Sequence, residues 1–432
     1  MTRVCIVSRS LPPEYGGAEI AAYRYGERLA ARGNPPLFVA PDGGEAYPDW
    51  VVPLNIPSVM KTVGARARLL RLARSLWPVM WKRRREYDVV HIFNSAPLVN
   101  LLAVPIARAL GKPVILESSL VGSDDPLALM KRKKGRRRRL FLSNPLRYEL
   151  YRRGSAFISK SPVLLRACRE APLPPEKMTL IPYAVDCDTY RPSEPSERPA
   201  LRRALDLPEG PTVLFVGGMN KRKGVHHLLE AFRSVVDAVP EARLALVGPA
   251  YKYDPEFVEG LYSSTEAWGL SGHVTFVNRV VSNVHEYLRA SDVFTLPSSR
   301  EGLPIAVLES MAAGKAVVAS DIPEIAESQI EDGKNGLLVP FGDVAGLAKA
   351  LTAVLAEPAR GEALGGEARR RALDRFSVPV VDAQYQRLYE ALLSGGSPAE
   401  AVKYPPVDEP EADEPEPGLT ASRSSALETQ PC

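Results

Sequence analysis

The sequence predicts an α/β protein built from two doubly wound domains facing a central cleft, and three observations predict it. Short runs rich in β-branched residues alternate with helical patterns through the first half. The same alternation restarts at Thr212, after a stretch rich in proline and charge from Arg191 to Pro211 that reads as a linker. A chain of 432 residues is also too long for one ordinary core and comfortable for two domains and an extra segment.

In the first half the strands are VCIV (Val4–Val7), LFVA (Leu37–Ala40), DVVHIF (Asp88–Phe93) and VILE (Val114–Glu117). Unbroken apolar runs of this kind belong in a parallel sheet covered on both faces. The helices between them stop where a glycine follows, Gly33 after AEIAAYRYGERLAAR and Gly111 after PLVNLLAVPIARAL. The second half opens on TVLFVGG (Thr212–Gly218), and its first helix carries Val225, Leu228, Leu229, Phe232, Val235 and Val239 on one stripe. Further strands follow at Leu244–Val247, Val274–Val277, Val293–Leu296 and Ala316–Ala319. Near the end, VPVVDAQYQRLYEALL (Val378–Leu393) has a stripe of Val381, Tyr385, Leu388 and Leu392 that must dock on something. From Gly395 on, the chain is dense in Pro, Glu and Ser and nearly free of large apolar groups, which predicts a disordered tail over 395–432.

Charge singles out no partner, because 55 Lys and Arg against 51 Asp and Glu leave only +4. Cys5, Cys168, Cys187 and Cys432 are scattered without paired spacing, so neither a disulfide framework nor a zinc site is suggested and a reducing interior fits. The opening MTRVCIVSRS reads as a first strand and not as an export signal, and the apolar stretch Leu98–Ala107 is about half of a membrane-spanning helix. These features place the protein in the cytoplasm as a non-spanning chain.

The segment that carries the most chemistry is PSSREGLPIAVLESMAAG, Pro297–Gly314. A strand ends, a polar loop with Ser298, Ser299, Arg300, Glu301 and Gly302 follows, Pro304 stands where a first helical residue belongs, and Gly314 closes the helix. The free N–H groups at such a helix start carry partial positive charge and suit a diphosphate. Topology puts that end at the carboxyl edge of the sheet, the usual ligand crevice. Glu309 lies over a turn further on, so Glu301 and Glu309 are placed to grip two parts of one elongated ligand.

This segment resembles the signature of the retaining GT-B glycosyltransferases of family four, in which two glutamates stand eight positions apart. The resemblance implies two Rossmann-like domains: residues 1–190 on the acceptor side, 191–376 binding a nucleotide sugar, and the helix at 377–394 packing back on the first domain. It implies that Glu301 contacts hydroxyls of the donor sugar, Glu309 the ribose, and the backbone of Gly302, Leu303, Pro304 and Ile305 the diphosphate. In VGGMNKRKGV (Val216–Val225) it makes Lys223 the phosphate-gripping lysine; Gly218 stands where many members have a second phosphate-binding arginine, and Arg222 is the substitute at hand. Gly16 and Gly17, in SRSLPPEYGGAE, fall in the loop that closes on donor phosphate and acceptor. His91 matches a recurrent family position, although a histidine at a strand end is more often a satisfied structural group. The family's other histidine is absent, with Glu117, Ser118 and Ser119 in its place. IPYAVDCDTYRP (Ile181–Pro192) resembles the crossing between domains, and the LVGSDDP loop with Asp124 and Asp125 is an acceptor loop or an ordinary turn.

The implied reaction moves a sugar from a UDP- or GDP-linked donor to an acceptor with retention, the departing phosphate taking the acceptor's proton. Neither a protein nucleophile nor a metal is required, and no Asp-x-Asp segment is placed to hold one. A hydrolase pairing Glu301 with Glu309, a nucleotide-sugar epimerase on the same scaffold, and a non-catalytic nucleotide-sugar-binding or membrane-surface scaffold stay open. Finally, KRKKGRRRRL (Lys131–Leu140) packs eight cations into nine residues beside apolar Leu140, Phe141 and Leu142. It is a solvated loop or a contact for an anionic membrane surface, the latter pointing to a glycan or lipid-linked acceptor. With no aromatics interleaved, nucleic acid is not expected.

Overall fold

The computed structural model describes the chain except at residues 12–15, 43, 58–64, 94–96, 121–125, 131–143, 251–253 and 404–432. The first sheet holds β1 (Val4–Val7), β2 (Leu37–Asp42), β3 (Val51–Pro57), β4 (Val89–Ile92), β5 (Val114–Ser118), β6 (Ala156–Ser159) and β7 (Met178–Leu180). Its order is β3-β2-β1-β4-β5-β6-β7. The second holds β8 (Thr212–Val216), β9 (Arg243–Val247), β10 (Val274–Val277), β11 (Val293–Leu296), β12 (Ala316–Ser320) and β13 (Leu337–Val339), in the order β10-β9-β8-β11-β12-β13. All the pairings are parallel. Each order reverses once, between β1 and β4 and between β8 and β11, and loops leaving the strand ends there diverge to open a crevice.

Apolar runs become strands because both faces of each sheet are covered. One face of the first sheet packs Leu72, Leu76, Met80, Val104 and Tyr151; the other packs Tyr25, Leu29, Val381, Tyr385 and Leu388. The helix Val378–Ser394 thus joins the first domain's core from the far end of the chain. The two crossings between domains lie side by side, with Val185 donating to the Phe376 carbonyl at 2.8 Å and accepting from Val378 at 3.2 Å.

The structure adds strands that the apolar runs did not mark, namely β3, β6, β7 and β13. β6, β7 and β13 are only three or four residues long, and β3 carries Pro53 and Pro57, residues that an edge strand tolerates because one side needs no donors. The stretch read as a linker is corrected as well. Arg198–Ala204 is a helix, and the guanidinium groups of Arg198 and Arg202 reach Asp292 at 2.6 and 2.7 Å, so its charges are ion-paired against the second domain.

The disordered tail predicted from 395 is overturned over its first residues. Pro398–Ala401 is a helical turn, Val402 is only 4% exposed, and Thr179 donates to the Val402 carbonyl at 3.0 Å. Buried Pro398 and Val402, together with the Ser397 hydroxyl donating to the Glu176 carbonyl at 3.0 Å, dock a segment whose composition reads as polar. Residues 404–432 lie outside the described part, as do Asp124, Asp125 and the basic run at 131–139.

Candidate active site

At the switch point of the second sheet two loops meet. After β8, Lys221–Lys223 forms a single 3-10 turn; the Asn220 side chain caps it, accepting from the Lys223 N–H at 3.2 Å. Gly224 ends that turn at φ +67°, and a Cβ there would stand 1.9 Å from the Pro297 carbonyl oxygen, so only glycine lets the turn press on the end of β11. Ser299 donates its N–H to the Arg222 carbonyl at 2.8 Å, and Arg222 Nη1 donates to the Arg300 carbonyl at 2.5 Å. One backbone bond and one from the Arg222 side chain thus stitch the two loops together.

That stitching brings Arg222 and Lys223 to Glu301, which lies 78 positions beyond Lys223 in sequence. Glu301 Oε1 accepts from Lys223 Nζ at 2.7 Å and lies 3.0 Å from Arg222 Nη1. Burial opposes the charge on Glu301, but Lys223 and then Arg222 outweigh it and hold the carboxyl below its ordinary range. Burial pulls Lys223 down, Glu301 opposing and Arg222 adding to it. The result is a compact, partly dry site with two cations on one carboxylate.

From this loop Leu303 anchors in the core, and the Pro304 carbonyl accepts from Gln329 Nε2 at 3.0 Å. Pro304 is the N-cap, so the helix proper is Ile305–Ala312, one residue later than the sequence suggested. Its first N–H groups have no preceding turn of their own helix to donate to. Gly218 follows β8 with open space around it: a Cβ would find its nearest atoms 3.8 and 4.0 Å away, room enough for a larger side chain.

The first domain closes over this site. A Cβ at Gly302 would stand 1.6 Å from the Ser119 carbonyl oxygen, so the domains touch backbone to backbone there. Gly16 caps the helix Gly17–Ala31, its N–H donating to Glu19 Oε2 at 3.1 Å, and a Cβ on Gly17 would meet the Ile305 side chain at 3.4 Å. A cleft at this seam is lined by Ala21, Arg24, Arg28, Tyr183, Ile305 and Tyr385.

Arg24 is the site residue that sequence reading missed. Its Nη1 donates to Glu309 Oε1 at 2.9 Å and its Nη2 to the Tyr190 hydroxyl at 3.2 Å. Burial disfavours the guanidinium charge, yet Tyr190 and Glu309 more than compensate. A signal existed: Gly17, Ala21, Arg24 and Arg28 follow the glycine pair at spacings of three and four, one helix face with small residues leading to cations.

His91, expected among the catalytic groups, is corrected to a buried structural residue. It has no exposed surface; Nε2 lies 3.0 Å from Glu117 Oε1 and Nδ1 2.8 Å from the Tyr389 hydroxyl. Burial lowers its pKa, so a neutral ring donates to Glu117 through Nε2 and accepts from Tyr389 through Nδ1. Glu117 Oε1 also accepts from Lys160 Nζ at 2.7 Å and the Tyr385 hydroxyl at 2.8 Å. With both ring nitrogens spent inside the domain, His91 has none left for substrate. Among the described residues no group of three or more His, Cys, Asp or Glu is arranged to hold a metal.

Comparison with known proteins agrees with this geometry. The model described as glycosyl transferases group 1 matches residues 197–371, and that described as glycosyl transferase 4-like domain matches residues 16–184. A phosphatidyl-myo-inositol mannosyltransferase of Mycobacterium leprae is 36% identical over 194 residues, 44% of this chain and 48% of that protein. The chain thus spans about half the length of this relative. A GDP-mannose-dependent alpha-(1-6)-phosphatidylinositol monomannoside mannosyltransferase of Mycobacterium tuberculosis is 27% identical over 400 residues, 85% of this chain and 93% of that one. In fold, the crystal structure of Anabaena Alr3699/HepE in complex with UDP and glucose superposes with a TM-score of 0.70 at 19% identity, covering 91% of this chain and 100% of that chain.

Proposed function

The chain belongs to the glycosyl transferases group 1 family, with two GT-B domains, and from that premise we propose that it transfers a hexose from a nucleotide diphosphate sugar to an acceptor hydroxyl with retention. The observation that carries the reading is the convergence of Lys223, Arg222 and Glu301 at the β8/β11 switch point, at the amino end of the Ile305–Ala312 helix.

In this reading the diphosphate rests on the helix start near Ile305, where backbone N–H groups and the partial positive charge favour it. Lys223 and Arg222 stabilise the charge that grows on the departing diphosphate. Glu301, oriented by those two cations, takes hydroxyls of the donor sugar, and Glu309 takes the ribose by exchanging its bond with Arg24. The leaving phosphate accepts the acceptor's proton, so the protein supplies position and electrostatics and needs neither nucleophile nor metal. The nucleotide is UDP or GDP, in keeping with the GDP-mannose dependence named for one relative and the UDP held by the Anabaena protein.

The acceptor is a lipid-linked or envelope glycan presented at the inner face of a membrane, to which the protein binds peripherally. Phosphatidylinositol in the names of two relatives, the basic run at 131–139, and the lack of any membrane-crossing helix among the described residues support this. The test is incubation of pure protein with UDP- and GDP-sugars, with lipid extracts as acceptor, following nucleotide release with and without chelator and the anomeric configuration of the product by NMR. Release unaffected by chelator with an α-linked product is expected. No release from any nucleotide sugar, or an inverted product, would overturn the proposal.

A further inference from the structure

One surface of the first domain is left unused by this chemistry. The helix Ala65–Lys82 docks on the sheet through Leu72, Leu76 and Met80, all buried. Its opposite stripe should then be polar. It is not: Leu70 is 63% exposed, Trp77 41% and Trp81 44%, at spacings of seven and four that put all three on one line. Single exposed apolar groups need no explanation, but three aligned on one helix do.

Charge surrounds this line. From Trp50 to Arg85 the chain contains no Asp or Glu, while Arg71, Arg74, Lys82 and Arg85 are exposed on or just beyond the helix. The two tryptophan rings lie nearly parallel, 5.6 Å apart at 19°, and the Arg84 guanidinium sits 4.7 Å from the Trp81 ring. The platform is therefore preformed. The two rings stack on each other and Arg84 lies over Trp81, so part of the ring face that a stacked nucleobase needs is already taken.

We propose that this helix face is a docking surface for an anionic lipid bilayer, with Leu70, Trp77 and Trp81 entering the interface and the flanking cations meeting lipid headgroups. Tryptophan suits the headgroup level because its ring is amphipathic, and the helix cations, in a stretch without Asp or Glu as far as Arg85, are complementary to an anionic leaflet. The inference deepens and rests on the peripheral membrane reading above. It places the contact on a rigid helix within the domain assigned to the acceptor, independently of the basic run.

The experiment uses the full chain with vesicles of phosphatidylcholine, with and without phosphatidylglycerol, and with brominated lipid to quench tryptophan emission. Wild type is compared with Trp77→Ser/Trp81→Ser, with Arg71→Ser/Arg74→Ser, and with a variant changing Arg136 to Arg139 to Ser. Circular dichroism checks that each is folded. Wild type should sediment with anionic vesicles, with blue-shifted and quenched emission. The tryptophan pair variant should lose about tenfold or more in partitioning, and the Arg71/Arg74 variant should bind with a weaker salt dependence. Equal binding by wild type and the tryptophan variant, or emission that bromine does not quench, would remove this face while leaving membrane binding intact. Wild type that stays in the supernatant would remove both. Emission that shifts with a single-stranded oligonucleotide but not with vesicles would assign the face to nucleic acid and overturn the proposal.

Discussion

Replacing Lys160 by Met tests whether the buried polar cluster is structural. Lys160 has no exposed surface; its Nζ donates to Glu117 Oε1 and to the Tyr385 hydroxyl, both at 2.7 Å, and lies 4.9 Å from the Tyr183 ring centre. Methionine keeps the length and removes the charge, leaving Glu117 buried among His91 and Tyr385. Breaking a buried pair from one side costs ~3–5 kcal/mol. The two hydrogen bonds that remain to Glu117 offset ~1 kcal/mol each, so a loss of ~1–3 kcal/mol near neutrality is expected.

The pH dependence sharpens this test. In the wild type Glu117 is held below its ordinary range, since Lys160 and His91 outweigh burial, so its contribution is present above the unfolded carboxyl pKa and lost as pH falls. Without Lys160, burial dominates and the folded carboxyl rises above its unfolded value. Its contribution is then lost as pH rises through that raised value. The difference between wild type and mutant must therefore be larger at pH 8 than at pH 5. Urea unfolding followed by tryptophan emission at both values measures it. A difference under ~1 kcal/mol at pH 8, the low end of an unmade buried bond, or equal differences at the two pH values, would refute the structural assignment of this cluster and of His91 with it.

Four further outcomes follow from the same geometry. Lys223→Ala should lower kcat by ~100-fold or more with a smaller effect on donor affinity, because leaving-group charge is largest in the transition state; full turnover at saturating donor would contradict it. Arg24→Ala frees Glu309 and should tighten donor binding by calorimetry, whereas Glu309→Ala should weaken it; a matching loss in both would place Arg24 on the ligand. Ending the chain after Lys403 should leave Tm unchanged, while ending it after Ser394 should lower Tm by roughly 4 °C, since burial of Val402 and its bond from Thr179 together contribute ~2 kcal/mol; equal Tm values would show the docked turn to be inert. Burial, helped by Arg198, pulls Lys315 down to about 7. Its charge therefore costs stability below pH 7, and that cost fades toward the lysine's unfolded value, so Lys315→Met should stabilise by on the order of 1 kcal/mol at pH 6 and less at pH 9. A gain that does not change with pH would contradict this.

What could be read in the residues was whatever is encoded over short range. Apolar runs such as Val4–Val7 and Val293–Leu296 specify strands because a buried parallel sheet leaves no polar face to alternate with. The stripe on Val225–Ala238 is visible for the same reason, and the Glu301, Gly302 and Glu309 spacing marks the site because a strand, a turn and a helix start are contiguous in the chain. Short edge pieces such as β7 and β13 fell below that threshold, since three residues carry no period.

Tertiary structure alone decided which distant groups meet. Arg24 reaches Glu309 across 285 positions, Lys160 finds Glu117 and Tyr385, and Val402 finds Thr179, although no local pattern in any of these segments announces its partner. His91 shows the reason most clearly. Its place at the end of DVVHIF fits a catalyst and a structural group equally, and the choice fell to a helix nearly 300 residues later, whose Tyr389 takes one ring nitrogen while Glu117 of the neighbouring strand takes the other. Secondary structure follows from backbone sterics and the burial period of a few residues, which the sequence carries in itself; the fate of a polar side chain depends on whether folding gives it water or a partner, and that is settled only when remote segments pack.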